Sequence, residues 1–216
     1  QSGTKIRVSK SSAGKPWGLS RMDTPRSSTT PRRPFLTWEQ FQAILRAASS
    51  NPRDYAILRV AGATCARREE LTRMKMEDYR RPVLTIRTAK GGKPGASTLD
   101  PVTCDALTSY LKSRRQASVF LFCGPRGEAI SVETLSQMFR TYADQIGLPD
   151  GVGLHAIRRG VATWLFNAGM RERELHDDGR WKTPSMPAVY VQLVPGQVDR
   201  QVQKKHLSPI RHVRSA

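Results

Sequence analysis

The stretch that most narrows what this chain can fold into is Leu154-His155-Ala156-Ile157-Arg158-Arg159, with the alanine-rich run that follows it. The run from Gly160 to Ala168 reads as helix, and Gly169 after its last residue is a stop signal. His155 and Arg158, three apart, then share one helix face, one turn from each other. That sets a proton-transfer group beside a permanent cation. Downstream lie Gly179-Arg180-Trp181 and, nine residues after Trp181, Tyr190. Two such groups facing a phenol are what phosphoryl transfer through a tyrosine ester needs.

The rest of the sequence supplies a mostly helical frame. Thr37 with Gln40 is a capping-box pattern, and Trp38, Phe41, Ile44 and Leu45 form the apolar face of the helix it opens. Asn51-Pro52-Arg53-Asp54 opens a second helix carrying Tyr55, Ile57, Leu58 and Val60. A break around Gly62 leads to a third helical start at Ala66-Arg67-Arg68-Glu69-Glu70-Leu71. Val83 to Thr88 has β character, Lys90-Gly91-Gly92-Lys93-Pro94 is a turn, and a short second strand lies near Ser97-Thr98-Leu99. Asp100-Pro101 is a cap followed by proline at the first helical position, for a helix to about Lys112. Val119 to Phe122 reads as an extended stretch against the core, and Ser131 caps a helix carrying Leu135, Met138, Phe139 and Tyr142. Tyr55 and Tyr142 fall at packing positions and read as structural. A short helix from Glu172 to Asp177 and a last segment around Pro187 to Leu193 complete a mainly α fold with one small β-hairpin.

A chain of 216 residues can bury one real core, and a second domain would have to be small. No apolar run approaches the ~18 residues of a membrane span, and no secretory signal is visible. The first residue, Gln1, reads as the start of a piece of a longer protein. Three cysteines (Cys65, Cys104, Cys123) are an odd number without metal-ligand spacing, which fits a reducing interior. The net charge of +18 selects a polyanion as partner. Residues 1–34 carry +7 and residues 191–216 carry +4, so most of the excess lies in the two ends. A solubilising charge run is the plain alternative; attraction to a phosphate backbone accounts for it better and predicts steep salt dependence.

The spacing of several motifs resembles the tyrosine recombinase (phage integrase) family. Leu154-His155-Ala156-Ile157-Arg158, then Gly179-Arg180-Trp181, then Tyr190 resembles its C-terminal motif. Cys65-Ala66-Arg67-Arg68-Glu69-Glu70-Leu71 resembles its first arginine motif, Gly-x-Arg-x-x-Glu-Leu, with Cys65 where glycine is usual. Ala89-Lys90-Gly91-Gly92-Lys93 resembles its lysine turn. The resemblance implies the tyrosine recombinase catalytic-domain fold and a catalytic set of Arg67, Lys90, His155, Arg158, Trp181 and Tyr190. Arg67 and Arg158 would clamp the scissile phosphate, and Tyr190 would attack it. His155 would be general base or phosphate donor, Lys90 would protonate the departing 5′-oxygen, and Trp181 would donate its indole N–H. Glu70 would sit behind, orienting Arg67 or a nearby helix. Arg68, Lys93, Arg159 and Arg180 are candidates for DNA contact. Arg180 departs from the leucine-glycine pair common in the family before His or Trp. No cofactor and no metal is implied, because arginines supply the positive charge.

The expected organisation is a basic flexible arm or linker at 1–34, the catalytic domain at 35–193, and a basic tail at 194–216 that docks on a neighbouring protomer. Family members carry a helical core-binding domain ahead of the catalytic one, which 34 polar residues cannot build. The expected activity is site-specific recombination through a 3′-phosphotyrosine and a Holliday junction. The partner would be double-stranded DNA, held by a homo-tetramer, in the cytoplasm or nucleoid (the nucleus in a eukaryote), with no membrane and no small-molecule substrate. The rivals are a topoisomerase-like or telomere-resolvase strand cutter, and a DNA-binding protein that kept the fold and lost the chemistry.

Overall fold

The computed structural model describes residues 34–87 and 95–180. The expected arm and tail, the strand's last residue Thr88 and the segment around Pro187 to Leu193 lie outside the described residues.

The central element is α2 (Pro52–Thr64), with Pro52 in its first turn and the Asn51 side chain accepting the Asp54 amide at 3.2 Å. Ala56, Ile57, Leu58, Val60 and Ala61 are all buried, so apolar residues surround the helix rather than line one stripe. A helix of that kind must be covered on several sides. The cover comes from α1 (Trp38–Ala47), α4 (Pro101–Ser113) and α6 (His155–Asn167).

Each cap read from the sequence is in place. Thr37 and Gln40 exchange side-chain and amide hydrogen bonds ahead of α1, and Asp100 accepts the Thr103 amide ahead of α4. Asp100 also receives Arg59 from α2 at 2.7 Å, which ties the two helices together. Phe41, Ile44 and Leu45 face the core as expected. Trp38 does not: it is 52% exposed, its ring edge-on to Trp164 on α6 with centroids 5.3 Å apart.

The third helical start is only one turn, α3 (Arg68–Leu71). After it comes a three-stranded antiparallel sheet in the order β1 (Tyr79–Arg80), β2 (Val83–Ile86), β3 (Gly95–Thr98), with Leu84 opposite Ser97. Leu84 and Ile86 point inward and Val83 and Thr85 outward, the alternation of a half-buried strand. β1 was not legible, because two residues carry no period. Val119 to Phe122 forms no full strand. It hydrogen-bonds to Met74 and Met76, buries Leu121 and Phe122, and leaves Val119 exposed.

α5 (Val132–Gln145) starts at the Ser131 cap and buries Leu135, Met138, Phe139 and Tyr142. The Tyr142 hydroxyl donates to the buried Asp54 carboxylate at 3.0 Å. Burial, with the Asp54 charge, pushes this phenol up to about 12. α7 (Glu172–Asp178) closes the described chain.

One further contact positions α6. The entering segment 34–36 lies along it: Arg159 donates to the Pro34 carbonyl at 2.7 Å, Trp164 Nε1 to the Leu36 carbonyl at 3.1 Å, and the Leu36 amide to the Ala156 carbonyl at 3.3 Å. Gly160 permits this approach, since a Cβ there would lie 2.7 Å from the Leu36 oxygen. No described helix is long and apolar enough to cross a membrane.

Tyr142→Phe should lower unfolding free energy by about 1–3 kcal/mol, because Asp54 stays buried after losing a donor. A denaturant titration reads this, and an unchanged midpoint would show that the pair contributes nothing.

Candidate active site

The site assembles where α2 ends. Cys65 takes the left-handed conformation there, with φ of 51°. That region favours glycine and costs another residue about 1–2 kcal/mol. The reversal turns the last carbonyls of α2 toward two buried guanidiniums. Arg158 Nη1 donates to the Cys65 carbonyl, and Arg180 Nη2 donates to the Thr64 carbonyl at 2.8 Å. A helix C-terminus carries partial negative charge, so it suits both cations.

Arg158 lies in the second turn of α6 and is 1% exposed. Its Nη2 donates to the Gly179 carbonyl, at the end of α7. Burial, reinforced by Arg67 and Arg180, lowers its pKa to about 10, which leaves it charged at neutral pH.

Arg67 precedes α3, its side chain about a third exposed. Both oxygens of Glu70 hold it: the Arg67 amide donates to Oε2 at 2.9 Å and Nη1 to Oε1 at 2.7 Å. Glu70 is itself buried at 2%. Its carboxylate therefore caps α3 and holds the Arg67 guanidinium at once.

His155 opens α6 and is half-buried. Burial first, then the charges of Arg159, Arg158 and Arg67, push its pKa down to about 4, with Glu69 opposing. The ring is neutral at physiological pH.

The structure thus brings Arg67, Glu70, His155 and Arg158 into one electrostatic neighbourhood. Lys90, Lys93, Trp181 and Tyr190 lie outside the described residues. Arg68 is surface-exposed and pairs with Glu69 at 2.8 Å.

Two expected DNA contacts are placed differently. Arg159 is 8% exposed and donates to the Pro34 carbonyl of the entering segment. Arg180 is 4% exposed, and besides Thr64 it meets Glu70 Oε2 at 3.6 Å. In both cases the side chain found partners within the fold. The sequence reading missed the carbonyls of Thr64, Cys65 and Gly179, since backbone acceptors carry no residue signature. Cys65 at a glycine position was the one available hint.

Two guanidiniums, Arg67 and Arg180, meet the one Glu70 carboxylate, and Arg158 lies within electrostatic reach, a surplus of positive charge suited to a phosphate. Among the described residues no group of His, Cys, Asp and Glu could hold a metal ion.

Comparisons with known proteins find relatives of this chain. Tyrosine recombinase XerA of Pyrococcus horikoshii is 25% identical over 177 residues, covering 80% of this chain and 61% of that protein. A putative integrase/recombinase y4rB of Sinorhizobium fredii is 30% identical over 174 residues, covering 66% of this chain and 55% of its own length. The chain thus spans about three fifths of the relatives it matches. Among solved structures, a XerA recombinase crystal structure superposes with a TM-score of 0.72 at 24% identity, over 79% of this chain and 64% of that one. A lambda integrase dimer bound to a COC′ core site gives 0.64 at 22% identity, over 78% and 51%. Both show the same fold as the described domain. The sequence model of the phage integrase family matches residues 34–196, and this chain belongs to that family.

Proposed function

We propose that the chain is the catalytic part of a site-specific DNA recombinase. The observation that carries this reading is Arg67, held by Glu70, together with Arg158 and a neutral His155 one turn before it. Two fixed guanidiniums would bind the non-bridging oxygens of a scissile phosphate and neutralise charge that builds up in the transition state. Each guanidinium has five N–H donors, enough to hold carbonyls and a phosphate oxygen together.

The Tyr190 oxygen attacks phosphorus and forms a 3′-phosphotyrosine ester while the bond to the 5′-oxygen breaks. The phenol proton passes to His155, and Lys90 delivers a proton to the leaving oxygen. Trp181 donates its indole N–H to the phosphate. Attack by a second strand's 5′-hydroxyl reverses these steps, so rejoining needs no nucleotide energy source. Two rounds on paired sites pass through a Holliday junction.

Residues 35–193 form the catalytic domain, 1–34 a basic arm and 194–216 a tail that docks on a neighbouring protomer in a homo-tetramer on double-stranded DNA. Support comes from solved relatives described as a lambda integrase dimer on a core site and a tetramer on a Holliday junction. The charge of +18 agrees with a DNA partner, in the nucleoid or, in a eukaryote, the nucleus.

A nicked suicide duplex tests the chemistry, with a random duplex pool standing in where the target is unknown. Wild type should form a covalent adduct mapped to the Tyr190 peptide, and Tyr190→Phe should form none. An adduct that survives the substitution would move the nucleophile elsewhere. Strand nicking and closing without partner exchange would point to a topoisomerase-like enzyme.

Arg67→Ala should slow adduct formation on the order of a hundredfold. Arg158→Ala should slow it similarly and also lower the Tm, since two carbonyls lose their donor. Near-normal cleavage by both variants would remove the phosphate clamp.

His155 gives a pH prediction. Its folded pKa of about 4 lies below the ordinary 6.5, so between those values the unfolded chain binds more protons. The stability it supports is present above pH 6.5 and lost as pH falls toward 4. NMR should find a neutral ring at pH 6, and His155→Gln should lose less stability than wild type between pH 7 and pH 5. A ring already charged at pH 6 would contradict this.

A further inference from the structure

Arg180, read from the sequence as a candidate for DNA contact, is buried where the end of α2 meets the carboxylate that holds Arg67. Its Nη2 donates to the Thr64 carbonyl at 2.8 Å, and the same atom lies 3.6 Å from Glu70 Oε2. Glu70 in turn grips Arg67 through both oxygens. The aliphatic stem of Arg180 lies against Gly95, the first residue of β3, where the chain returns from the lysine turn. A Cβ at Gly95 would stand 2.9 Å from Arg180 Cδ. By sequence, Arg180 is also bonded directly to Trp181 and precedes Tyr190.

The backbone gives a second observation. Arg180 has φ of 52°, in the left-handed region that favours glycine. A non-glycine residue there is strained. Its side chain is nonetheless buried, charged and engaged with a carbonyl and a carboxylate. Strain held by specific buried contacts points to a constraint from function.

We propose that Arg180 is a positioning residue for strand cleavage, holding Glu70, and through it Arg67, in the phosphate-binding orientation while seating the returning limb of the lysine turn. It acts through other residues and does not touch DNA. Glu70 without Arg180 would keep one of its two cations, and its carboxylate would be free to swing with Arg67. Gly95 without the Arg180 stem would lose the surface that sets where β3 begins. The two effects would loosen Arg67 and the start of β3 together.

This inference rests on the reading of the chain as a strand-cutting enzyme, so its test has one arm that needs no activity. The 216-residue chain is compared with Arg180→Gly, Arg180→Lys, Glu70→Gln and the Arg180→Gly/Glu70→Gln double variant. Arg180→Gly relieves the backbone strain and leaves the rest of the fold its residues.

In hydrogen exchange, Arg180→Gly should speed exchange in α3 and β3 while α1 and α5 stay as in wild type. In single-turnover adduct formation at saturating DNA, it should slow the rate by about tenfold to a hundredfold, the scale of a misplaced catalytic group. DNA affinity and its salt slope should hold. Arg180→Lys should recover part of the rate, because an ammonium can still face Glu70. The double variant should be no slower than the slower single variant, since both act through one contact.

Wild-type rates in Arg180→Gly, or full additivity with Glu70→Gln, would overturn the proposal. A salt slope lower by about one phosphate contact would overturn it too, by making Arg180 a DNA ligand. Unchanged exchange in α3 and β3 would remove its geometric basis. Altered exchange in a chain whose wild type forms no adduct would instead sink the strand-cutting reading and leave the contact network standing.

Discussion

Burying a guanidinium in a protein this small is the constraint on which the site depends. An uncompensated charge inside a fold costs several kcal/mol, so each needs partners fixed in advance. Here the partners are the last carbonyls of α2, the helix that also organises the core. The left-handed turn at Cys65 aims those carbonyls across the chain. Arg158 then links the end of α2 to the end of α7, so the core helix and the site share one rigid support.

That arrangement explains the division of labour among the arginines. Arg158 is buried and held by backbone, which fixes its position at the cost of mobility. Arg67 is partly exposed and held by one carboxylate, which leaves it reachable from outside while its direction stays set. His155 sits among these cations and is kept neutral by burial and by their charge. A neutral imidazole can accept a proton, whereas an imidazolium could only donate one. An approaching phosphate would offset the same cations and raise the imidazole's affinity for a proton.

Much of the frame was legible because caps and periods are local. Thr37, Asn51, Asp100 and Ser131 each start the helix expected of them, since a side-chain oxygen three residues ahead of an amide needs no tertiary information. Glu70 behind Arg67 was legible for a related reason: three residues separate them. The errors are all tertiary. Trp38 matched the apolar face of α1 but lies at its rim, where Trp164 covers only one edge. Arg159 and Arg180 were read as candidates for DNA contact, and only the fold reveals that the Pro34 and Thr64 carbonyls accept from them. β1 depends on pairing with β2 and has no signature of its own.

The entering segment at 34–36 has a consequence for anyone handling the domain as a fragment. Its carbonyls are the acceptors for Arg159 and Trp164, and both donors sit on the helix that carries His155 and Arg158. A boundary drawn at the first helical residue, Trp38, would look safe by secondary structure and would strip those acceptors away. The buried Arg159, one turn beyond His155 on α6, would then stand without the Pro34 carbonyl. Cloning limits for this domain are therefore set by the hydrogen bonds that α6 makes to the entering segment, and a fragment should begin ahead of Pro34.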